Sequence, residues 1–380
     1  MSDIAIVCAA GAFFGKETIA LELGQGMRES GRQVEFISSL WGDGCFRNRA
    51  KADGFPVRLM RLGFISATLR LDCLWWTLDQ LLHWPGLVAD YRRFLRESRP
   101  KHIVHTNWQH LLLLMPWLNP QRDYFWVHES VPNKAQYRCV LGRLSRRIRC
   151  FIAISNSTAD SLRSLGIPEE KIRVIYNGIR DPVPPTGIPA RDTNSLRIGV
   201  GGQMNEHKGQ ADLVAAFGLL ATAHPAAELH IFGRGTQDYE KELKRRVGEL
   251  GLTSRVFWRG YVAERHMIFS DVDVFVVPSR FAEPFGLIAV EAAFFGLPVV
   301  ASRRGGIPDI IEEGVTGFLV EAENPSQLAE RLDELLRNTD LRKKMGTAAR
   351  QRAQTCFGRE IFVQNHLCLL DGPTLTNQRP

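Results

Sequence analysis

Short apolar runs alternate with longer amphipathic ones along most of this chain. The apolar runs predict strands at Ile4–Ala9, Gln33–Ser38, Val57–Met60, His102–His105, Tyr124–His128, Phe151–Ile154 and Arg173–Tyr176. Helical spacing fills most of the gaps, as over Lys16–Ser30 and Ser157–Leu165. Apolar strands separated by helices build a parallel sheet covered on both faces.

The pattern breaks at Arg180–Pro189, where four prolines and one glycine fall within ten residues. Such a segment holds no regular structure and reads as a linker. Beyond it the alternation resumes, with strands expected at Leu196–Val200, Glu228–Phe232, Val256–Trp258, Val272–Val277 and Val299–Ala301. A last helix is expected over Arg359–Leu370. The chain therefore reads as two doubly wound α/β halves, and its 380 residues suit two domains better than one core.

Composition changes this picture little. Apolar residues make up 44% and charged residues 23%, as in soluble proteins. The seven cysteines are odd in number and widely spaced, with no C-x-x-C pair and no Cys/His cluster at metal spacing. That fits a reduced, cytoplasmic compartment. The N-terminus carries Asp3 and no basic n-region, so it does not read as a secretory signal. No run approaches the roughly twenty apolar residues of a membrane span. The net charge of +7 suits an anionic ligand or a membrane surface. Nucleic acid is not an expected partner, because no aromatic residues interleave with Lys/Arg along a strand face.

The candidate chemistry concentrates in Arg280–Ala292. Glu283 falls in a loop and Glu291 a little over a turn inside the helix that follows, among Phe281, Phe285, Leu287, Ile288 and Val290. Carboxylates in apolar surroundings need partners, and sugar hydroxyls are good donors to them. The helix start at Gly286-Leu287 offers backbone N–H groups that favour phosphate. Gly201-Gly202-Gln203-Met204-Asn205-Glu206-His207-Lys208-Gly209 follows a strand and precedes a helical pattern at Asp212–Leu219, an arrangement that cradles phosphate. Lys208 would add a positive charge there.

Glu283-x7-Glu291, then Gly296-Leu297-Pro298-Val299-Val300-Ala301-Ser302, Gly305-Gly306-Ile307-Pro308-Asp309 and the run to Val320, resembles the signature of family-four retaining glycosyltransferases of the GT-B fold. That resemblance implies two Rossmann-like domains facing a central cleft. The halves would be residues 1–180 and 196–356, with a linker at 181–195, a helix at 357–371 crossing back to the first half, and a tail at 372–380. It implies a nucleoside diphosphate sugar, UDP- or GDP-linked, as co-substrate, with no other cofactor. Sugar would pass to a hydroxyl acceptor in cell-surface glycan or glycolipid assembly. Glu283 would face the donor sugar and Glu291 the ribose. The departing phosphate would take the acceptor's proton. Lys208 and the amides at Phe285, Gly286 and Leu287 would stabilise the leaving diphosphate, in the manner of an oxyanion hole. No metal is then required, and no Asp-x-Asp clamp is present; Asp271-Val272-Asp273 reads as a turn before a strand.

Several further residues carry the resemblance less specifically. Gln203 stands where the family often has Arg or Lys, so it would bond phosphate without adding charge. Gly15, in the turn Ala10–Glu17, would approach the donor phosphate, although the family often shows two adjacent glycines there and this chain has Phe14-Gly15. His128 resembles the family's active-site histidine, which contacts the donor sugar; a satisfied histidine at a sheet edge is the alternative. His105-Thr106-Asn107 would line the same edge. Ser155 or Asn156 reads as a helix N-cap. Gly233-Arg234 and the turn Gly260-Tyr261-Val262 would approach the nucleotide and base.

For the acceptor, two segments stand out. Leu69–Trp84 is rich in Leu and Trp, and Lys134, Arg138, Arg143, Arg146, Arg147 and Arg149 fall in a stretch with no acid between Glu129 and Asp160. Together they fit a peripheral membrane surface and a glycan or lipid-linked acceptor at the inner face of the membrane. A buried helix beside a solvated face fits the same residues. A catalytically silent nucleotide-sugar-binding subunit, kept open by Gln203, and a sugar-nucleotide epimerase are the competing functions.

Overall fold

The computed structural model describes residues 2–8, 15–63, 65, 71–187 and 195–372. The expected glycine turn at 10–14, the start of the Leu/Trp-rich segment at 69–70, part of the linker at 188–194 and the tail from 373 lie outside the described residues. The chain divides into two units, residues 1–179 with 359–380, and residues 180–358.

In the first unit strands and helices alternate as β1 (Ile4–Val7), α1 (Gly15–Glu29), β2 (Val34–Ser39), α2 (Cys45–Ala52) and β3 (Val57–Met60). Two consecutive helices, α3 (Leu71–Leu82) and α4 (Trp84–Glu97), lead to β4 (His102–His105). Then come α5 (Trp108–Leu114), β5 (Asp123–Val127), α6 (Ala135–Ser145), β6 (Cys150–Ala153), α7 (Asn156–Ser164) and β7 (Ile172–Val174). All strands pair in parallel, in the order β3-β2-β1-β4-β5-β6-β7.

The second unit runs β8 (Arg197–Gly201), α8 (Gln210–Leu220), β9 (Glu228–Phe232), α9 (Gln237–Glu249), β10 (Val256–Gly260), α10 (Arg265–Phe269) and β11 (Val274–Val277). It continues α11 (Leu287–Phe294), β12 (Val299–Ser302), α12 (Ile307–Ile310), β13 (Gly317–Val320), α13 (Pro325–Arg337) and α14 (Thr339–Cys356). The sheet is again wholly parallel, in the order β10-β9-β8-β11-β12-β13. In each sheet the first strand sits inside, and the order reverses beside it. That reversal opens a crevice at the carboxyl ends of the strands, the usual ligand position in open α/β sheets.

The last helix, α15 (Arg359–Asp371), belongs to the first unit and packs on α1. A Cβ on Gly26 of α1 would come within 2.3 Å of Val363, so glycine permits the close approach. Arg359, almost fully buried, donates to Glu29 at 2.6 Å, and its N–H donates to the Ile179 carbonyl.

Element ends depart from the expectation by a residue or two. The strand expected to end at His128 stops at Val127. The one expected from Val272 begins at Val274, because Asp273 is used to cap the neighbouring strand: its carboxylate accepts from the Arg197 N–H at 2.7 Å. Strand β13 was not anticipated, since four residues following Gly314-Val315-Thr316 carry too little pattern. No helix among the described residues is long and apolar enough to cross a membrane.

Candidate functional site

The residues singled out in the second half gather at the carboxyl edge of its sheet, around the reversal between β8 and β11. Glycines let the exits of β8 and β9 touch. Gly233 has φ +125°, and a Cβ there would fall 1.8 Å from the Gly202 carbonyl oxygen. The Gly202 N–H donates to the Phe232 carbonyl, the Met204 N–H to Arg234, and the Gly233 N–H to Gly260 at 2.7 Å. Close backbone contact thus explains Gly233. Arg234 supplies its carbonyl to this join, while its side chain and that of Gln203 are exposed.

The loop after β8 is braced against the loop after β11. Gly209 sits at φ +69°, where a Cβ would meet the Pro278 carbonyl oxygen at 1.9 Å. The Arg280 N–H donates to the His207 carbonyl at 2.8 Å, and the Arg280 guanidinium grips Asp212 with two bonds of 2.6 and 2.7 Å. Asn205 Oδ1 accepts from the Lys208 N–H at 3.1 Å and fixes the turn from which the lysine projects. The ammonium of Lys208 reaches Glu283 Oε1 at 2.5 Å, and Ser279 Oγ donates to the same oxygen at 2.7 Å.

The backbone at Glu283 is enclosed by the Gly305-Gly306 turn. Gly305, at φ +62°, leaves no room for a Cβ, which would lie 2.0 Å from the Glu283 carbonyl oxygen, and the Gly306 N–H donates to that oxygen at 2.7 Å. Gly286, at φ +109°, turns the chain into α11, whose N-terminus has no side-chain cap. Phe285 was expected among the donor contacts. Its ring instead turns inward, 3% exposed and edge-on to Phe357 at 5.9 Å, so its backbone is what it offers a ligand. Leu287 is half-buried at the helix start.

Glu291 lies in the second turn of α11 and is 8% exposed. Burial raises its carboxyl pKa above the ordinary value, partly opposed by the guanidinium of Arg265, whose Nε is 3.5 Å away. Arg265 opens α10, three residues past Val262, a half-buried residue of the turn after β10. Sequence reasoning missed Arg265, Ser279 and Asn205: Arg265 meets Glu291 from a different helix, Asn205 bonds a backbone N–H, and Ser279 reaches Glu283 only through the path of their loop. The Asp271/Asp273 pair lies at the opposite, amino edge of the sheet, with Asp271 paired to Arg197.

Gly15 and His128 belong to the first unit. Gly15 is exposed at the head of α1, and no atom of the described residues lies within 4 Å of where its Cβ would point. His128 follows β5, its ring 4.3 Å from that of Trp126. Its Nε2 is buried and has no hydrogen-bond partner among the described residues. Burial, with the nearby charge of Lys16 and the neighbouring His366, holds its pKa well below 6.5, so the ring is neutral. His105 corrects the expectation for its strand end. It is fully buried, with Nε2 2.8 Å from Asp123 Oδ1, because alternation along β4 turns it into the core. Thr106 likewise donates inward, to the Val7 carbonyl. Ser155 accepts from the Thr158 N–H at 3.0 Å and caps α7.

Two family models match in chain order: Glycosyltransferase Family 4 over residues 15–181 and Glycosyl transferases group 1 over residues 188–352. An uncharacterized glycosyltransferase of Methanocaldococcus jannaschii is 31% identical over 50% of this chain and 52% of its own length. Glycogen synthase of Mycobacterium tuberculosis is 31% identical over 61% of this chain and 56% of its own length. The chain thus spans little more than half the length of these relatives. HepE of Anabaena, solved with UDP and with UDP-glucose, is similar in fold, with a TM-score of 0.81 for the UDP complex at 22% identity, covering 97% of this chain and 99% of that one. With both halves matched and the two parallel sheets in place, the chain belongs to the family-four, group 1 glycosyltransferases of the GT-B fold.

Proposed function

We propose that the chain transfers a sugar from a nucleoside diphosphate sugar to a hydroxyl acceptor, with retention of configuration and without a metal ion. The observation that carries this reading is the Lys208–Glu283 pair, held by Asn205 and Ser279 at the reversal of the sheet with Glu291 two turns of chain away. In this reading Glu291 accepts from the ribose hydroxyls, and the Gly260–Val262 turn meets the base. The diphosphate lies against the start of α11, with Gly202, Gln203, Gly233 and Arg234 alongside. Lys208 turns part of its charge from Glu283 to the phosphate, and Glu283 then accepts from the donor sugar.

The bond from the anomeric carbon to the phosphate oxygen breaks, and its electron pair leaves with the diphosphate. The acceptor oxygen bonds to that carbon from the same face, and its proton passes to the departing phosphate. Lys208 and the amides of Gly286 and Leu287 are more strongly engaged as that charge grows, so they lower the barrier rather than merely tighten binding. HepE's complexes with UDP and UDP-glucose support a UDP-sugar as the first donor to try. A glycan or lipid-linked hydroxyl is the acceptor class.

Incubation of the chain with UDP- and GDP-sugars in EDTA, with and without candidate acceptors, tests the reading. Slow release of nucleoside diphosphate, with the freed sugar first appearing by NMR in the donor's anomeric configuration, is expected. Nucleotide binding without any release of diphosphate would instead identify a silent subunit.

A further inference from the structure

Helix α3 faces the wrong way for a helix of a free-standing soluble unit. Its polar Gln80 is buried, 1% exposed, accepting from the Gly63 N–H at 2.6 Å and donating to the Arg61 carbonyl at 2.9 Å. Leu71, Leu74, Trp75, Leu78, Leu81 and Leu82 are between 41% and 85% exposed. At about 100° per residue these six fall within an arc of about 120°, on the side opposite Gln80, while Trp76, 43% exposed, lies outside it. The helix is thus pinned by an amide on its inner side and presents leucines and a tryptophan to the outside. A continuous apolar face of that kind marks a docking surface.

The surroundings say what docks. Helices α4, α5 and α6 all feed the core on one face of the first sheet, through Leu87, Leu111 and Leu141. Trp84, at the junction of α3 and α4, donates its indole N–H to the Leu113 carbonyl at the end of α5. Trp108 of α5 meets Tyr137 of α6 edge to face. This flank carries exposed Arg92 and Arg96 on α4 and exposed Arg138, Arg143, Arg146 and Arg147 on and just after α6, and α6 contains no acid. The acids of α4, Asp90 and Glu97, are already paired with Arg93 and Arg58, so the flank keeps a positive excess that a second copy would set against itself. An anionic bilayer matches both features, with apolar side chains entering the interface and arginines on the head groups.

We propose that α3 is a monolayer-inserting helix, and that it docks the first unit on an anionic lipid surface with the arginines of α4 and α6 as its electrostatic rim. If the transferase reading holds, docking would present the chain to acceptors carried in that membrane; the docking itself does not depend on the donor site.

Flotation with vesicles of phosphatidylcholine, alone or mixed with phosphatidylglycerol, tests this without donor or acceptor. The wild type should float with the anionic vesicles, and less as salt rises. Trp75→Ser/Leu78→Ser should reduce binding at least tenfold while keeping the wild-type melting temperature, because both side chains are exposed. Arg143→Gln/Arg146→Gln/Arg147→Gln should reduce binding to anionic vesicles at least tenfold and leave the weak binding to neutral ones unchanged. Failure of the wild type to float, or flotation of the serine variant equal to wild type, overturns the proposal. So does a wild-type dimer in light scattering that the serine variant makes monomeric, since a second copy would then cover α3.

Discussion

Lys208 and Glu283, 75 residues apart, share one hydrogen bond of 2.5 Å, and Ser279 donates to the same carboxylate oxygen. The pair balances its own charge. An incoming diphosphate competes with Glu283 for the ammonium, and an incoming sugar competes with Lys208 for the carboxylate. Lys208→Met should therefore lower turnover by roughly 10²–10³-fold, the scale of removing one donor aimed at a developing negative charge. Glu283→Gln should lower turnover more than it weakens nucleotide binding. The double variant should lose much less than the product of the two, because each single change leaves the other partner exposed. Steady-state kinetics on the three variants checks this.

Glu291 gives a pH signature. Burial raises its pKa, so acidification neutralises it before an ordinary glutamate. Nucleotide affinity should therefore fall as pH drops through that raised value. Glu291→Gln should bind more weakly at neutral pH, by roughly 10–100-fold for the loss of charged hydrogen bonds, and its affinity should change less with acid. Calorimetric titration of nucleotide at several pH values reads both effects.

The Gly305 turn couples stability to the site. A Cβ there collides with the Glu283 backbone, and φ is in the left-handed region. Gly305→Ala should cost about 1–3 kcal/mol of stability and displace the Glu283 loop, so turnover should fall even in the fraction that remains folded. Thermal melting alongside activity per folded molecule separates the two. Gly15→Ala meets no atom of the described residues within 4 Å and should leave stability nearly unchanged.

In the first unit, burial holds His110 at about 3 and His366 at about 4, against 6.5 for the free side chain. The unfolded chain takes up protons below about pH 6.5 that the folded chain refuses. These groups therefore contribute stability above pH 6.5 that is lost as pH falls towards 4, each with a slope of about 1.4 kcal/mol per pH unit. His110 Nδ1 has no hydrogen-bond partner among the described residues, and His110→Leu removes the titrating group, so it should reduce the slope by about one proton. Urea unfolding between pH 7 and pH 5 measures it.

What could be read from the sequence follows from how local each signal is. Glu283, Gly286, Glu291 and Gly305 lie in one run, and their spacing alone announced a loop, a helix start and a second turn. Contacts across the chain were not legible. Nothing near Lys208 names Glu283 as its partner, and nothing near Glu291 points to Arg265. His105 misled because a strand end looks alike whichever way its side chain alternates, and here it turns to Asp123. Helix α3 was ambiguous because apolar content does not say which face is buried. Gln80, inconspicuous in the sequence, settles it.

The most direct test of the donor site is calorimetric titration of UDP and uridine, in EDTA, into the wild type, Glu291→Gln and Lys208→Met, with GDP, ADP and dTDP as alternatives should UDP not bind. The account predicts that the wild type binds one of these diphosphates, that Glu291→Gln weakens nucleoside and diphosphate alike, and that Lys208→Met weakens the diphosphate alone. Binding of no nucleotide, or binding that both variants leave intact, would contradict it.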